Sequence, residues 1–370
     1  MLAAGRKFRV LAIAFAAASA VIAAFAGSAA AKPFGTVYTS TNAATGNEIR
    51  AFDRGTDGSL TPAGSFATGG AGTGVGLGSQ GAVILTDHGQ RLFAVNAGSD
   101  NITSFKVSPR GLRLRDVEPS SGDRPISLTV HGDLLYVLNA GTDQISGFRV
   151  RGGGDLEPLA GSTRNLSGAG TDPAQVEFSP DGDLLVVTEK ATNRIDTFRV
   201  GRDGRAGPAL SQPSAGQTPF GFAFDSGGNL IVSEAFGGAE NASALSSYRV
   251  ARDGAIAPIS PVVRTEQTAA CWVVVTENGR FAYTTNTGSG SVSSYAVGRD
   301  GSISLLESVA ANTGAGSSPT DMALDGDRHL FVLSSGTGMV GSYRVRGDGS
   351  LAPVDVVGGL PAGTTGLAAS

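Results

Sequence analysis

Two acidic residues, Glu189 and Glu234, occupy a position at which five other segments of the chain carry a short amide or hydroxyl. The equivalents are Asn42, Asn96, Asn139, Asn286 and Ser335, each following an apolar run such as Leu-Tyr-Val-Leu at 135–138. An asparagine before Gly or Ala caps a turn through its own side chain, the plain reading for Asn96 and Asn139. Glutamates in adjacent segments suggest more. Two carboxylates at one site have their pKa values pushed apart, so that one activates water while the other protonates a leaving group. The competing reading pairs each acid with a nearby cation such as Lys190 or Arg194.

A second set of positions precedes these runs: Pro125-Ile126-Ser127, Pro173-Ala174-Gln175, Pro219-Phe220-Gly221, Cys271-Trp272 and Pro319-Thr320-Asp321. Cys271 and Trp272 are the only residues of their types, and strand alternation sends one toward a site and the other into packing. A core thiol beside a stacking indole competes with an aromatic platform for a ring-shaped ligand. His88, His131 and His329 fall in or beside hairpin turns at the other end of the same runs, so no triad or metal cluster forms. The stretch from Gly69 to Gly76 is glycine-rich like a phosphate loop, but no helix follows to supply amide donors. It reads as a linker, and neither a metal nor another cofactor is expected.

The elements that position these residues are visible in the repeat. The segments LFAVNAGSDNITSFKV, LYVLNAGTDQISGFRV, LVVTEKATNRIDTFRV, LIVSEAFGG…ALSSYRV, FAYTTNTGSGSVSSYAV and LFVLSSGTGMVGSYRV follow a divergent copy, VYTSTNAATGNEIRAF. Their polar positions are 54, 43, 50, 45, 52 and 49 residues apart, the period of propeller blades. Within the fourth unit, Ala174–Phe178, Leu184–Thr188 and Ile195–Val200 read as strands, with Ser-Pro-Asp-Gly and Arg-Asp-Gly turns between them and an outer strand after. The first unit lacks a first strand, and the segment from Leu360 to Leu367 resembles one with nothing after it. The expected fold is therefore an all-β, seven-bladed β-propeller, its ring closed by the C-terminal strand completing the N-terminal blade. In such a ring the start of strand one and the end of strand two meet on one face, which gathers both sets of residues at a channel mouth.

Residues 1–31 read as a signal peptide: Arg6, Lys7 and Arg9, an apolar run from Val10, then Ala29-Ala30-Ala31 before Lys32. Residues 32–370 form the propeller, placed outside the cytoplasm, secreted or periplasmic, after cleavage near Ala31. No later stretch is long and apolar enough to span a bilayer. The chain carries 28 basic and 32 acidic residues, a net charge of −4. Losing the three basic residues of the leader leaves 25 against 32, a net −7. This diffuse acidity argues against nucleic acid as a partner. A monomer is expected, and one cysteine allows no internal disulfide.

The motifs Leu-Tyr-Val-Leu-Asn-Ala-Gly at 135–141 and Phe-Ser-Pro-Asp-Gly at 178–182 resemble those of the lactonase-type seven-bladed propellers. That family includes 6-phosphogluconolactonase and the fungal 3-carboxymuconate lactonizing enzyme, and surface propellers with YVTN repeats share the motif. The resemblance implies lactone hydrolysis and places Glu189 at the family's glutamate position. The family's Arg-His pair would fall at Ala174-Gln175, and the nearest surviving arginine is Arg124. On this reading Glu189 or Glu234 acts as general base, and Arg124, Asn139, Gln175, Phe220, Trp272, Asn286 and Asp321 bind the substrate. The other reading is a non-catalytic propeller that binds a protein or cell-envelope ligand through Phe220 and Trp272.

Overall fold

The computed structural model describes residues 34–370 apart from Asp87 and Asp327. The expected leader, residues 1–31, lies outside the described residues. Seven antiparallel sheets of four or five strands make the blades, each running outward from an inner strand. The inner strands are Val83–Leu85, Pro125–His131, Pro173–Phe178, Pro219–Phe224, Ala270–Val275, Pro319–Leu324 and Thr365–Ala369. The last belongs to blade 1, where it pairs with Gly35–Ser40 in the register Val37↔Ala369, Tyr38↔Ala368 and Thr39↔Leu367. Closure through the C-terminal segment is thus observed, although the strand begins five residues later than the apolar pattern from Leu360 suggests. Among the described residues the only helical turn is Phe236–Gly238.

Blades pack face to face, so their second strands are covered on both sides. Leu184–Glu189 is buried at every position, which explains its unbroken apolar run. Between blades 3 and 4, Tyr136, Leu138, Phe178, Leu185, Val187 and Phe198 form one apolar cluster. The recurring turn after strand three docks on the preceding blade. Tyr136 donates its hydroxyl hydrogen to Gly204 O at 2.8 Å, and Thr197 Oγ1 donates to Gly254 O at 2.7 Å. The turn needs its glycine, since Gly254 sits at φ 90°.

The seam of the ring carries a buried ion pair. Arg54 Nη1 lies 2.8 Å from Asp325 Oδ2, and His329 Nδ1 approaches the same oxygen at 2.9 Å. Arg54 also donates from Nε and Nη2 to Ser370 O, at 3.2 and 2.8 Å. The histidines stand in or beside the hairpins as expected: His329 opens the strand His329–Ser334 and is buried, and His131 ends an inner strand against Phe178.

Candidate functional site: the channel and its plug

The mouth is built by one device repeated around the ring. A left-handed non-glycine residue stands just before five inner strands: Arg124, Asp172, Thr218, Ala269 and Ser318. Its carbonyl accepts the amide of the residue that follows strand two, as in Ala140 to Arg124 O (2.9 Å) and Lys190 to Asp172 O (3.2 Å). The polar residue ending strand two then clamps the same linker. Asn139 Nδ2 donates to Ser120 O at 3.2 Å. Asn286 Nδ2 instead donates to Ser291 and Ser293 hydroxyls at 3.1 and 2.8 Å.

Glu189 and Glu234 are versions of this clamp and are fully buried. Glu189 accepts from Ser167 N (2.9 Å), Ser167 Oγ (2.5 Å) and Thr192 Oγ1. Beside it the buried Asp196 carboxyl, whose oxygens find no hydrogen-bond partner, is pushed up to about 7 by burial and by the neighbouring Glu189 carboxyl. Glu234 accepts from Gly216 N (2.7 Å), Ser214 Oγ (3.2 Å) and Tyr248 OH (3.3 Å), and burial raises its carboxyl. Each acid is held by the linker that enters its own blade, Glu189 at Ser167 and Glu234 at Ser214 and Gly216, and no hydrogen bond joins the two. Arg124 is exposed there, its amide bonded to Asp100 Oδ1 at 2.7 Å.

The glycine-rich linker between blades 1 and 2 does more than connect. Although it joins neighbouring blades, it reaches blades 3 to 6 and closes this face of the channel. Ser79 Oγ donates to Ile126 O (2.8 Å), and Gln80 N donates to Ala174 O (3.1 Å). Trp272 Nε1 donates to Ser79 O (2.8 Å), and Lys190 Nζ to Gly78 O (2.8 Å). Lys190 lies over the Phe220 ring at 4.7 Å, and Phe220 packs on Trp272 with centroids 5.0 Å apart. Phe220 and Trp272, expected to bind a ligand, form the bed of the plug. Cys271 is buried beside them, its thiol pushed up to about 11 by burial.

Gln80 keys the plug in place. Inner strands of neighbouring blades are linked by side chains that read the next strand's backbone. Val176 N donates to Ser127 Oγ (3.1 Å), and Phe222 N donates to Gln175 Oε1 (2.7 Å) while Gln175 Nε2 donates to Phe222 O (2.9 Å). Between blades 5 and 6 the strand offers only Gly221, and Gln80 bonds both Val273 N (3.0 Å) and Val273 O (2.7 Å) in its stead. A β-carbon on Gly221 would stand 2.3 Å from Gln80 Oε1. The same β-carbon would stand 2.6 Å from Cys271 O, so Gly221→Ala is expected to expel Gln80 and also to push the neighbouring inner strand, costing about 1–3 kcal/mol or more. Thermal melts check it: if Gln80→Ala adds its full effect on top of Gly221→Ala, the two are not coupled.

Beneath the plug lies a cavity of about 320 Å³, lined by Gln80, Gln175, Glu177 and Asp321 among largely aliphatic neighbours. Gln175 and Glu177 stand on one face of the same inner strand, and Gln175 Nε2 donates to Glu177 Oε2 at 2.8 Å. Burial pushes the Glu177 carboxyl up to about 8, against the opposing hydrogen bond from Gln175. Asp321 stands on the inner strand of blade 7. Its Oδ1 accepts from Met322 N at 2.8 Å, and Oδ2 is buried without a hydrogen-bond partner. Burial raises this carboxyl well above its ordinary range, with backbone amides of Met322 and Leu367 opposing. A second cavity of about 390 Å³ shares Leu85 and Ala369 with the first and continues to the hairpin face past His88 and Glu277.

Of the expected ligand-binding residues, the channel gathers Gln175 and Asp321, whereas Arg124, Asn139 and Asn286 lie outside its lining. Glu177 was the missed member, and its signal was alternation from Gln175 along one strand.

A family model for the lactonase type of seven-bladed β-propeller matches residues 46–235 and 235–364. The chain belongs to that lactonase family. Solved structures share the fold. A 6-phosphogluconolactonase candidate from Bacteroides uniformis superposes with a TM-score of 0.72 at 17% identity, covering 90% of this chain and 99% of its own. Its counterpart from Bacteroides fragilis gives 0.72 at 18%, covering 93% and 99%. The periplasmic gluconolactonase of Pseudomonas aeruginosa gives 0.68 at 17%, covering 90% and 98%. No curated protein matches significantly in sequence. Among the described residues of this lactonase-family propeller, no helix is long and apolar enough to cross a membrane.

Proposed function

We propose that this propeller hydrolyses a small lactone inside the plugged channel, with Glu177 as general base. What carries the reading is one cavity holding two carboxyls with raised pKa values, Glu177 and Asp321, in a chain of the lactonase family. A base near pH 8 suits catalysis close to neutrality, where a free glutamate is too weak. Ionised Glu177 takes a proton from water as the water oxygen bonds to the lactone carbonyl carbon. Asp321, kept neutral, donates from its unpaired Oδ2 to the carbonyl oxygen as negative charge gathers there. The tetrahedral intermediate then collapses: the ring C–O bond breaks, and the departing oxygen recovers the proton from Glu177. The product is the open hydroxy acid. Gln175 is a positioning residue that holds Glu177 Oε2.

The leader motif at 1–31 supports an activity outside the cytoplasm, and the plug across the other face favours substrate entry from the hairpin face. The test is hydrolysis, followed by acid release, of γ- and δ-lactones by the purified protein and by Glu177→Gln. Turnover that the variant loses is the expected result. A folded wild-type protein that opens none of the lactones overturns the reading.

A further inference from the structure

We infer that the channel selects an uncharged lactone and rejects phosphorylated or carboxylated ones; this rests on the hydrolytic reading of the same cavity. Among its described lining residues there is no Arg, Lys or His, and the ionisable ones are the carboxyls Glu177 and Asp321. Glu177, ionised in the working state, repels an added anion, and an anion stripped of water without a cation is costly.

The cations at either end of the channel are committed elsewhere. Lys190 lies beyond the plug, donating to Gly78 O and Pro173 O, with Asp172 Oδ1 at 3.4 Å and its charge over Phe220. At the other end Arg54 is taken by Asp325 and Ser370 O. Arg91, at an adjoining cavity that shares Val130, donates to Gly152 O at 2.8 Å. Within the first cavity no described cation meets a phosphate; the remaining basic side chain, His88, lines the outer cavity toward the hairpin face. What the ring does offer is neutral: the second Nε2 hydrogen of Gln80, the Thr129 hydroxyl hydrogen and the edges of inner strands. These suit hydroxyls and a lactone carbonyl.

The experiment uses a matched pair, a sugar δ-lactone and its phosphate ester, together with the corresponding lactams, which do not hydrolyse. The expected result is a kcat/KM for the uncharged lactone at least about 30-fold above that for the ester. An ester opened as fast or faster overturns the selectivity and leaves the hydrolytic reading standing. If neither lactone is opened, calorimetry on the lactams decides. Uncharged lactam bound at least about 30-fold tighter supports the selectivity while the hydrolytic reading falls. Equal binding, tighter binding of the phosphorylated lactam, or no binding of either overturns it.

Discussion

Glu177→Gln is expected to lower lactone turnover about 10²–10⁴-fold while leaving the propeller as stable as before, or more so at pH 8. Glutamine keeps the size and can still bond Gln175, so the packing change is small. The loss is of the one group able to accept a proton near neutral pH. In the wild-type protein, catalysed turnover should rise with pH and level off above about 8, following ionisation of Glu177. Stability should move the other way. The folded pKa is raised above the unfolded value, so between about 4.5 and about 8 the folded state holds a proton that the unfolded chain has released. Stability is therefore full below about 4.5 and falls as pH climbs to about 8. Glu177→Gln removes the Glu177 part of that decline, while Asp321, Asp196 and Glu234, also raised by burial, keep theirs. Melts and rates measured across this range on both proteins check the two trends together. A variant that keeps wild-type turnover, or loses it only by unfolding, excludes Glu177 as the base.

Asp325→Ala should be the most damaging single change at the seam, about 3–5 kcal/mol. It strands Arg54, whose side chain is only 3% exposed, and removes the partner of His329. For a domain of this size the melting temperature should drop by about 4–7 °C. Replacing both charges, as in Arg54→Met with Asp325→Leu, should recover most of that loss, since the cost lies in the orphaned charge. A drop below about 1 °C in the single variant, or no recovery in the double, overturns this account.

The architecture was legible because it is repetitive. Seven polar positions at blade spacing, together with the unmatched segments near Gly35 and Leu360, point to a ring and to its closure. The direction of the polar side chains was not legible. Glu189 and Glu234 end strand two on the mouth face, yet the linkers at Ser167 and Ser214–Gly216 fold back to receive them. That path depends on the left-handed residues before five inner strands, which vary in type (Asp, Thr, Arg, Ala and Ser); the proline after four of them marks the strand start but not the direction of the linker. The plug was hidden for a similar reason. A glycine-rich linker states no destination, and Gln80 finds its place only because Gly221, far along the chain, leaves a gap. Gln175 and Asp321 were found from the repeat, and Glu177 followed from them by alternation.

The closing strand also sets how the molecule bears load. Gly35–Ser40 and Thr365–Ala369 run antiparallel, with Val37 opposite Ala369, so both chain ends leave the sheet on the same side. Thr36 and Ser370, 334 residues apart in sequence, are hydrogen-bonded neighbours. Tension applied between the two ends falls on one backbone bond at a time and peels the ladder open, where opposed ends would have loaded every bond in shear. Under pulling, the ring is a zipper gripped at its open end, with Arg54 on Ser370 O as its first tooth. A force applied at one end alone leaves that seam unloaded, so a single-point tether preserves the ring and a two-point tether opens it.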